Sequence, residues 1–500
     1  MKRPIALVQV APMLALGAAF ALALATADAL AADPVATGSG PAMTAARDPA
    51  SAASAPSAGL GEPRKVPTRP VDHAMPAFEI VGFDFLLNRF NRYLGTGRDD
   101  YAVSLPTIRK NLRSSWDSDR DPFNINQLGH PYQGSMYHGF ARAAGFNYWE
   151  SAGYAFAGSG FWEIFGEKTH PSINDQVASG VGGTFLGEAL FRMSNLVLEH
   201  GGGMPRFWRE AAAAAISPST GFNRLAFGDR YGSVFSSHDA AYYSRLGAGY
   251  SHSIREEVGV TSTKFQPNEA QVDFSIDYGL PGLKGYDYTR PFDYFNFQVT
   301  ASSANGFENV LTRGLLIGKS YEAGPAYRGV WGIYGSYDYI SPQTFRVSTT
   351  ALSLGTTGHL WIARDLSLEG TGMLGVGYTA VGTAHGAASA DRNYNYGLSP
   401  QELLALRLTH GNKASLDITG REYFVSNVAS GTSGGHDTIV RLDAALTVRL
   451  YRQHAVTLRY LSNRRDASFT GGPSGRQERS TIGVFYTLLG QDRFGSVDWR

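Results

Sequence analysis

Four glutamates, Glu150, Glu163, Glu167 and Glu188, stand among aromatic and apolar residues in the middle of the chain. A carboxylate in such surroundings must be paired, protonated or used in chemistry. Glu163 and Glu167 lie one helical turn apart and would share a helix face. Arg142 and Arg192 are the candidate cations, so ion pairing that locks a helical unit competes with acid–base catalysis. His130 with Ser135, Ser151 or Ser172 and a glutamate could supply nucleophile, base and orienting acid, the set used in hydrolysis and acyl transfer. The candidate catalytic residues are His130, Glu150, Ser151 and Glu163. Against this, His130 sits in a turn-like Gly-His-Pro-Tyr, where a loop-structuring hydrogen bond is the commoner fate. The Glu163–Glu167 pair with His130 or His170 offers metal-ligand chemistry, but no H-E-x-x-H spacing accompanies it. No metal or cofactor is expected.

Helices must position these groups. The pattern predicts one helix over 149–165 and another over 173–198, joined at Pro171 as a hairpin. Ser172 followed by Asp175 matches a helix N-cap. Ser179, Gly183 and Gly187 repeat every four residues, as do Gly153, Ala157 and Phe161, so the two backbones could approach closely. Arg142, Glu163, Glu167, Asn174, Asp175, Glu188 and Arg192 form the candidate polar network of this unit. Residues 83–93 fit either a short helix or an aromatic strand. Arg109, Lys110, Arg113 and Arg120, interleaved with Asp117 and Asp119, read as a solvated face.

The rest of the chain is β-like. Of 500 residues, 17% are charged, against about 25% in ordinary proteins, and there are 59 glycines, 26 tyrosines and 28 phenylalanines. A net charge of +1 and the absence of cysteine argue against a basic nucleic-acid binder, a disulfide scaffold and a thiolate metal site. From Tyr242 onward apolar and polar residues alternate. Val272, Phe274, Ile276 and Tyr278 share one face, and Gln271, Asp273, Ser275 and Asp277 the other. Val440, Leu442, Leu446 and Val448 alternate with Arg441, Asp443, Thr447 and Arg449. Twelve such stretches are predicted, near 242–254, 270–279, 293–301, 308–320, 326–340, 344–362, 366–379, 394–409, 413–426, 437–451, 454–463 and 479–490. Tight connections at 364–365, 410–412 and 452–453 alternate with long ones at 380–393, 427–436 and 464–478, the pattern of a transmembrane barrel. The fold expected is mainly β: an antiparallel transmembrane β-barrel of about twelve strands preceded by an α-helical hairpin domain. One departure is the C-terminus, where Trp499 is followed by Arg500 instead of ending on an aromatic residue.

Residues 1–31 read as a signal peptide, with Lys2 and Arg3, an Ala/Leu run and an Ala29-Leu30-Ala31 cleavage site. Residues 32–76 read as an Ala/Pro/Ser linker, 77–240 as a mostly helical periplasmic or lumen-plugging domain, and 241–500 as the barrel. The stretch 121–200, with its Asp121-Pro122-Phe123, Gly129-His130-Pro131-Tyr132-Gln133-Gly134-Ser135, Trp162-Glu163 and Ser172-Ile173-Asn174-Asp175, resembles a family of Gram-negative outer-membrane proteins known as domain of unknown function 3943. The resemblance implies an outer-membrane protein and no particular reaction.

Two functions follow as expectations. One is a non-enzymatic outer-membrane barrel, structural, pore-related or transport-related, whose helices plug the lumen or cap its mouth. Its inward charges, such as Asp273, Asp277, Asp417, Arg441 and Arg459, would then meet Arg142, Glu163, Glu167 or Arg192. The other is a hydrolase or acyltransferase acting on envelope lipid or lipopolysaccharide. Expected partners are outer-membrane lipids, the barrel assembly machinery and a solute or lipid the sequence does not name. No nucleic acid is expected.

Overall fold

Twelve antiparallel strands close on themselves in a computed structural model of the chain, which describes residues 72–497 apart from 96–97, 202, 229–230, 258–265, 384–391, 427–433, 470–474 and 491. They are β1 (Tyr242–Glu257), β2 (Asn268–Tyr278), β3 (Phe295–Ser302), β4 (Gly306–Glu322), β5 (Tyr327–Ile340), β6 (Phe345–Ala363), β7 (Leu366–Thr383), β8 (Tyr394–His410), β9 (Ala414–Ser426), β10 (Gly435–Tyr451), β11 (His454–Phe469) and β12 (Gly475–Leu489). Each strand pairs with its sequence neighbours, and β1 pairs with β12, so no edge is left open. The signal-peptide and most of the linker expectations lie outside the described residues.

The tight turns at 364–365, 411–413 and 452–453 share one end of the barrel. One loop expectation needs correction, and one earlier connection departs from the alternation. The connection expected at 464–478 is mostly strand, since β11 and β12 extend to Phe469 and from Gly475. The connection 279–294 is long yet lies at the tight-turn end.

Parity along the strands separates lumen from outer wall. Arg245, Asp273, Asp277, Arg407, Asp417 and Arg459 point inward. On the opposite parity Leu442, Leu446, Val448, Leu458, Ile482 and Val484 are exposed, as a lipid-facing belt requires.

Before the barrel come α1 (Ala74–Leu94), α2 (Leu105–Asn111), α3 (His130–Ala143), α4 (Tyr148–Phe165), α5 (Ile173–Val177), α6 (Gly183–His200), α7 (Arg206–Ile216) and α8 (Pro218–Phe227). Residues 83–93 are therefore helix. Single π-turns, Ile125–Gly129 and Ala178–Gly182, lead into α3 and α6. The glycines of α6 face α3, not the Gly153 row of α4. A Cβ on Gly183 would lie 2.6 Å from Gly134 Cα, whereas one on Gly153 would meet nothing within 4 Å. Gly134 and Gly183 thus let the two backbones touch.

Among the described residues, the helices neither plug the lumen nor cap it. Phe185, Leu186, Leu190 and Met193 of α6 pack with Phe274, Ile276, Tyr278, Phe295, Phe297, Tyr337 and Tyr339, which belong to the outward parity. Phe123 packs against Tyr339 and Tyr394, and a Cβ on Gly182 would lie 3.0 Å from Thr350. The helical domain therefore sits on the outer wall, over β2 to β8. The apolar row on β2 looked lipid-facing from sequence; its occupant is protein.

Candidate functional site

Two buried polar clusters occupy the helical domain, and they have opposite charge states. The first centres on Glu188, whose side chain is fully buried on α6. Arg142 donates to it through Nε at 2.7 Å and Nη2 at 3.2 Å, Arg192 through Nε at 2.9 Å, and His138 Nε2 lies 3.0 Å away. Burial alone would push the Glu188 carboxyl up, but Arg142, His138 and Arg192 outweigh it and hold the group well below the usual carboxylate range. Burial pushes His138 down, against the pull of Glu188. Arg192 also donates to Asp293 at 3.0 Å and to the Pro291 carbonyl at 2.6 Å, tying α6 to the 279–294 connection.

The second cluster lies where α4, α5 and the chain before the first π-turn meet the outward tyrosines. Asp119 accepts from Asn126 and Asn174, and Asn174 also donates to Asp175 and to the Tyr396 hydroxyl. Glu163 accepts from the Ser172 amide at 2.8 Å, and Glu167 accepts from Trp162 Nε1 at 2.7 Å. No arginine pairs with Glu163 or Glu167 among the described residues. Burial, reinforced by Asp175 and Glu167, raises Glu163 well above the usual range. Burial raises Glu167 to about 7, with His130 opposing, and burial with Asp119 raises Asp175. Burial thus favours the neutral form of Glu163 and Asp175 at their seam with the barrel, and leaves Glu167 titrating near neutrality. In α1, burial likewise pushes Asp84 to about 8, against hydrogen bonds from Tyr137 and Gln133.

Several sequence-predicted roles are corrected by this geometry. Arg142 and Arg192 serve Glu188, not Glu163 or Glu167. Glu150 is exposed, and its carboxylate caps α4: it accepts from the Asn147 amide at 3.0 Å, while Asn147 Oδ1 accepts from the Trp149 and Glu150 amides. Ser135 donates to the Tyr132 carbonyl, and Ser172 accepts from the Asp175 amide as the N-cap that its spacing to Asp175 leads one to expect. Ser151 Oγ is buried without a hydrogen-bond partner. The serine beside His130 is one the sequence reading missed. Ser179 Oγ lies 3.4 Å from His130 Nδ1, and His130 Nε2 lies 3.7 Å from Asp175. Ser179 and Asp175 are only 1% and 2% exposed. No local motif could have signalled this pair, because the α3–α6 crossing brings together residues 49 apart in sequence.

The lumen charges pair with each other instead of with the helices. Arg459 bonds Asp273 at 3.1 Å and grips Asp443, Arg407 joins Asp277 at 2.8 Å and Asp417 at 2.6 Å, and Arg245 reaches Asp417 at 2.9 Å. They enclose a cavity of about 110 Å³. One end is filled by Leu311, Ile340, Phe345, Val347, Tyr423 and Ile439. At the tight-turn end Phe494, from the 3₁₀ turn Asp492–Gly495, packs with Leu280 and Tyr243.

A larger cleft of about 490 Å³ opens between the helices and the tight-turn rim. Arg142, Arg192, Arg224, Arg290 and His238 supply its cationic groups, and Tyr148, Trp149 and Phe235 supply aromatic walls. Among the described residues no group of three His, Asp or Glu side chains is arranged to hold a metal ion.

This is a closed twelve-stranded membrane-type barrel carrying a helical domain on its outer wall. Residues 115–219, the core of that helical domain, match the family model described as Domain of unknown function (DUF3943). No curated protein matches the chain. Solved structures with similar barrels include the outer membrane channel DcaP of Acinetobacter baumannii (9% identity, 50% of this chain and 97% of that one, TM-score 0.22). The NanC porin (8% identity, 48% and 98%, TM-score 0.24) and the KdgM porin (9% identity, 49% and 98%, TM-score 0.21) are further examples.

Proposed function

We propose that this protein resides in the bacterial outer membrane, exported by its N-terminal signal sequence, and works at the lipid-facing surface of its barrel, which serves as anchor and scaffold. The observation that carries this reading is the placement of the helical domain. It covers the outer wall, while the lumen is crossed by ion pairs and filled at both ends. The outward surface of that domain is itself apolar: Phe78, Phe85, Leu86, Phe207, Trp208 and Leu225 are 60–88% exposed. Such a surface suits contact with lipid better than contact with water. The barrel should be silent in planar bilayers. Steady open-channel conductance from the folded wild-type protein would sink this reading in favour of a solute pore.

A second reading, an envelope-lipid hydrolase or acyltransferase, draws support from the Ser179–His130–Asp175 order. Its requirement is access, since all three side chains are buried and Asp175 is held neutral. Lipid mass spectrometry of cells carrying Ser179→Ala in place of wild type tests it. Identical profiles would exclude it.

A further inference from the structure

We propose that the cleft between α4, α6, α8 and the 231–238 and 290–291 segments binds the phosphate headgroup of an anionic phospholipid. This rests on the reading that the outer wall lies in lipid. Three guanidinium groups converge on one ring: Arg290, Arg142 and Arg192 lie 4.6, 4.8 and 5.1 Å from the Phe235 centroid. Like charges gathered so closely repel unless anions intervene. Two carboxylates do so, Glu188 between Arg142 and Arg192, and Asp293 between Arg192 and Arg290. The fourth arginine, Arg224, is matched by Glu210 in a bidentate pair. Four arginines against three carboxylates leave one positive charge uncompensated, which equals the charge of a phosphodiester.

Position and size agree with that ligand. The volume, about 490 Å³, falls in the usual range of small-molecule sites. Arg142 and Arg192 are locked at the cleft floor, whereas the Arg290 side chain is 30% exposed at the rim, with Nε and Nη2 on Asp293 and Nη1 3.4 Å from the Ser236 carbonyl. His238 Nε2 lies 3.5 Å from Arg290 Nη1 and accepts from it, which helps to hold the guanidinium at the rim. Trp149 lines the opening and is 55% exposed, a polar-tipped aromatic of the kind that sits at a lipid headgroup boundary. A headgroup held by Arg290 would leave its acyl chains on the apolar outer surface. A free inorganic anion would use the same cations without needing that surface.

Native mass spectrometry of the full-length protein in a zwitterionic detergent separates these sources. Samples are titrated with phosphatidylglycerol, phosphatidylcholine or inorganic phosphate alone. Wild type should retain one phosphatidylglycerol with about tenfold preference over phosphatidylcholine, as expected for one charge-assisted contact. Arg290→Gln should abolish the preference and Arg290→Lys should keep most of it, with both variants first shown to be folded by their heat-dependent gel shift. Equal retention of the two lipids by wild type, or a preference unchanged in Arg290→Gln, overturns the proposal. Displacement of the lipid by an equal concentration of inorganic phosphate also overturns it, in favour of a free-anion site. Bilayer conductance is read on the same samples. A conducting barrel that still prefers phosphatidylglycerol would refute the closed-lumen reading and leave the cleft assignment standing.

Discussion

The same substitution, Glu→Gln, should have opposite consequences at two buried positions of the helical domain. Glu188 is ionised and accepts from two arginines and a histidine. Glutamine there keeps the volume and removes the charge, leaving Arg142 and Arg192 short of an anion. Removing one partner of a buried pair costs about 3–5 kcal/mol. Arg142 keeps the Phe146 carbonyl, and Arg192 keeps Asp293 and the Pro291 carbonyl, so the lower end applies. About 3 kcal/mol corresponds to a roughly hundredfold larger open population. Glu163 is held neutral, and its one bond is accepted from the Ser172 amide. Glutamine mimics that neutral acid and can accept the same bond, at a cost under about 1 kcal/mol. Amide hydrogen exchange reads the first effect over α3 and α6 and the second over α4 and α5, with the barrel's heat-dependent gel shift as control. Protection should fall about a hundredfold in Glu188→Gln and change little in Glu163→Gln. Equal losses in the two variants, or a larger loss at Glu163, would refute the assignment of charge states.

Further outcomes follow from the same geometry. Glu167 and Asp84 have folded-state values raised to about 7 and about 8 from 4.5 and 3.8. Their stabilisation is full below the unfolded values and is lost as pH climbs through the raised ones. Protection of α1 and α4 should therefore fall between pH 5 and 8 after correction for intrinsic exchange; a flat or rising profile contradicts the shifts. Glu188 acts in the reverse sense, its contribution being lost only as pH falls below the ordinary carboxylate range. Gly134→Ala places a Cβ 1.9 Å from the Ser179 carbonyl oxygen, so the α3–α6 contact must open at a cost of about 1–3 kcal/mol or more; unchanged proteolytic resistance of the helical domain would contradict that contact. Replacing Arg407 and Arg459 together by serine removes the groups that bridge β2 to β8 and β9, and to β10 and β11, across the lumen. The double variant should show small conductance events where wild type shows none, and silence in both would mean that the end plugs alone close the barrel.

The barrel was legible because period-two alternation is clear in strands such as β2, β3, β10 and β12 and the turns at 364–365, 411–413 and 452–453 are short. Parity says which face of a strand is apolar; it does not say what lies on that face. Phe274, Ile276 and Tyr278 would alternate in the same way under lipid as under α6, so the position of the helical domain could not be read. The acids show the same limit. Arg142, Glu188 and Arg192 were all visible, but two carboxylate rows, at Glu163–Glu167 and at Glu188, competed for the arginines. The i,i+4 spacing of Glu188 and Arg192 was the one local signal for the pairing that forms. Glu150 carried a readable capping signal, Asn147 three residues before it. The Ser179–His130 approach depends on backbone contact at Gly134 and Gly183, a tertiary fact with no counterpart in spacing.

Disulfide trapping tests the placement of the helices most directly, because the chain has no cysteine of its own. A Cβ at position 182 would lie 3.0 Å from the outward-facing Thr350 side chain, while Thr349 points into the lumen towards Thr379. Gly182→Cys with Thr350→Cys should cross-link under mild oxidation, and Gly182→Cys with Thr349→Cys should not. Cross-linking of the Thr349 pair alone would place the helices inside the barrel and contradict the account.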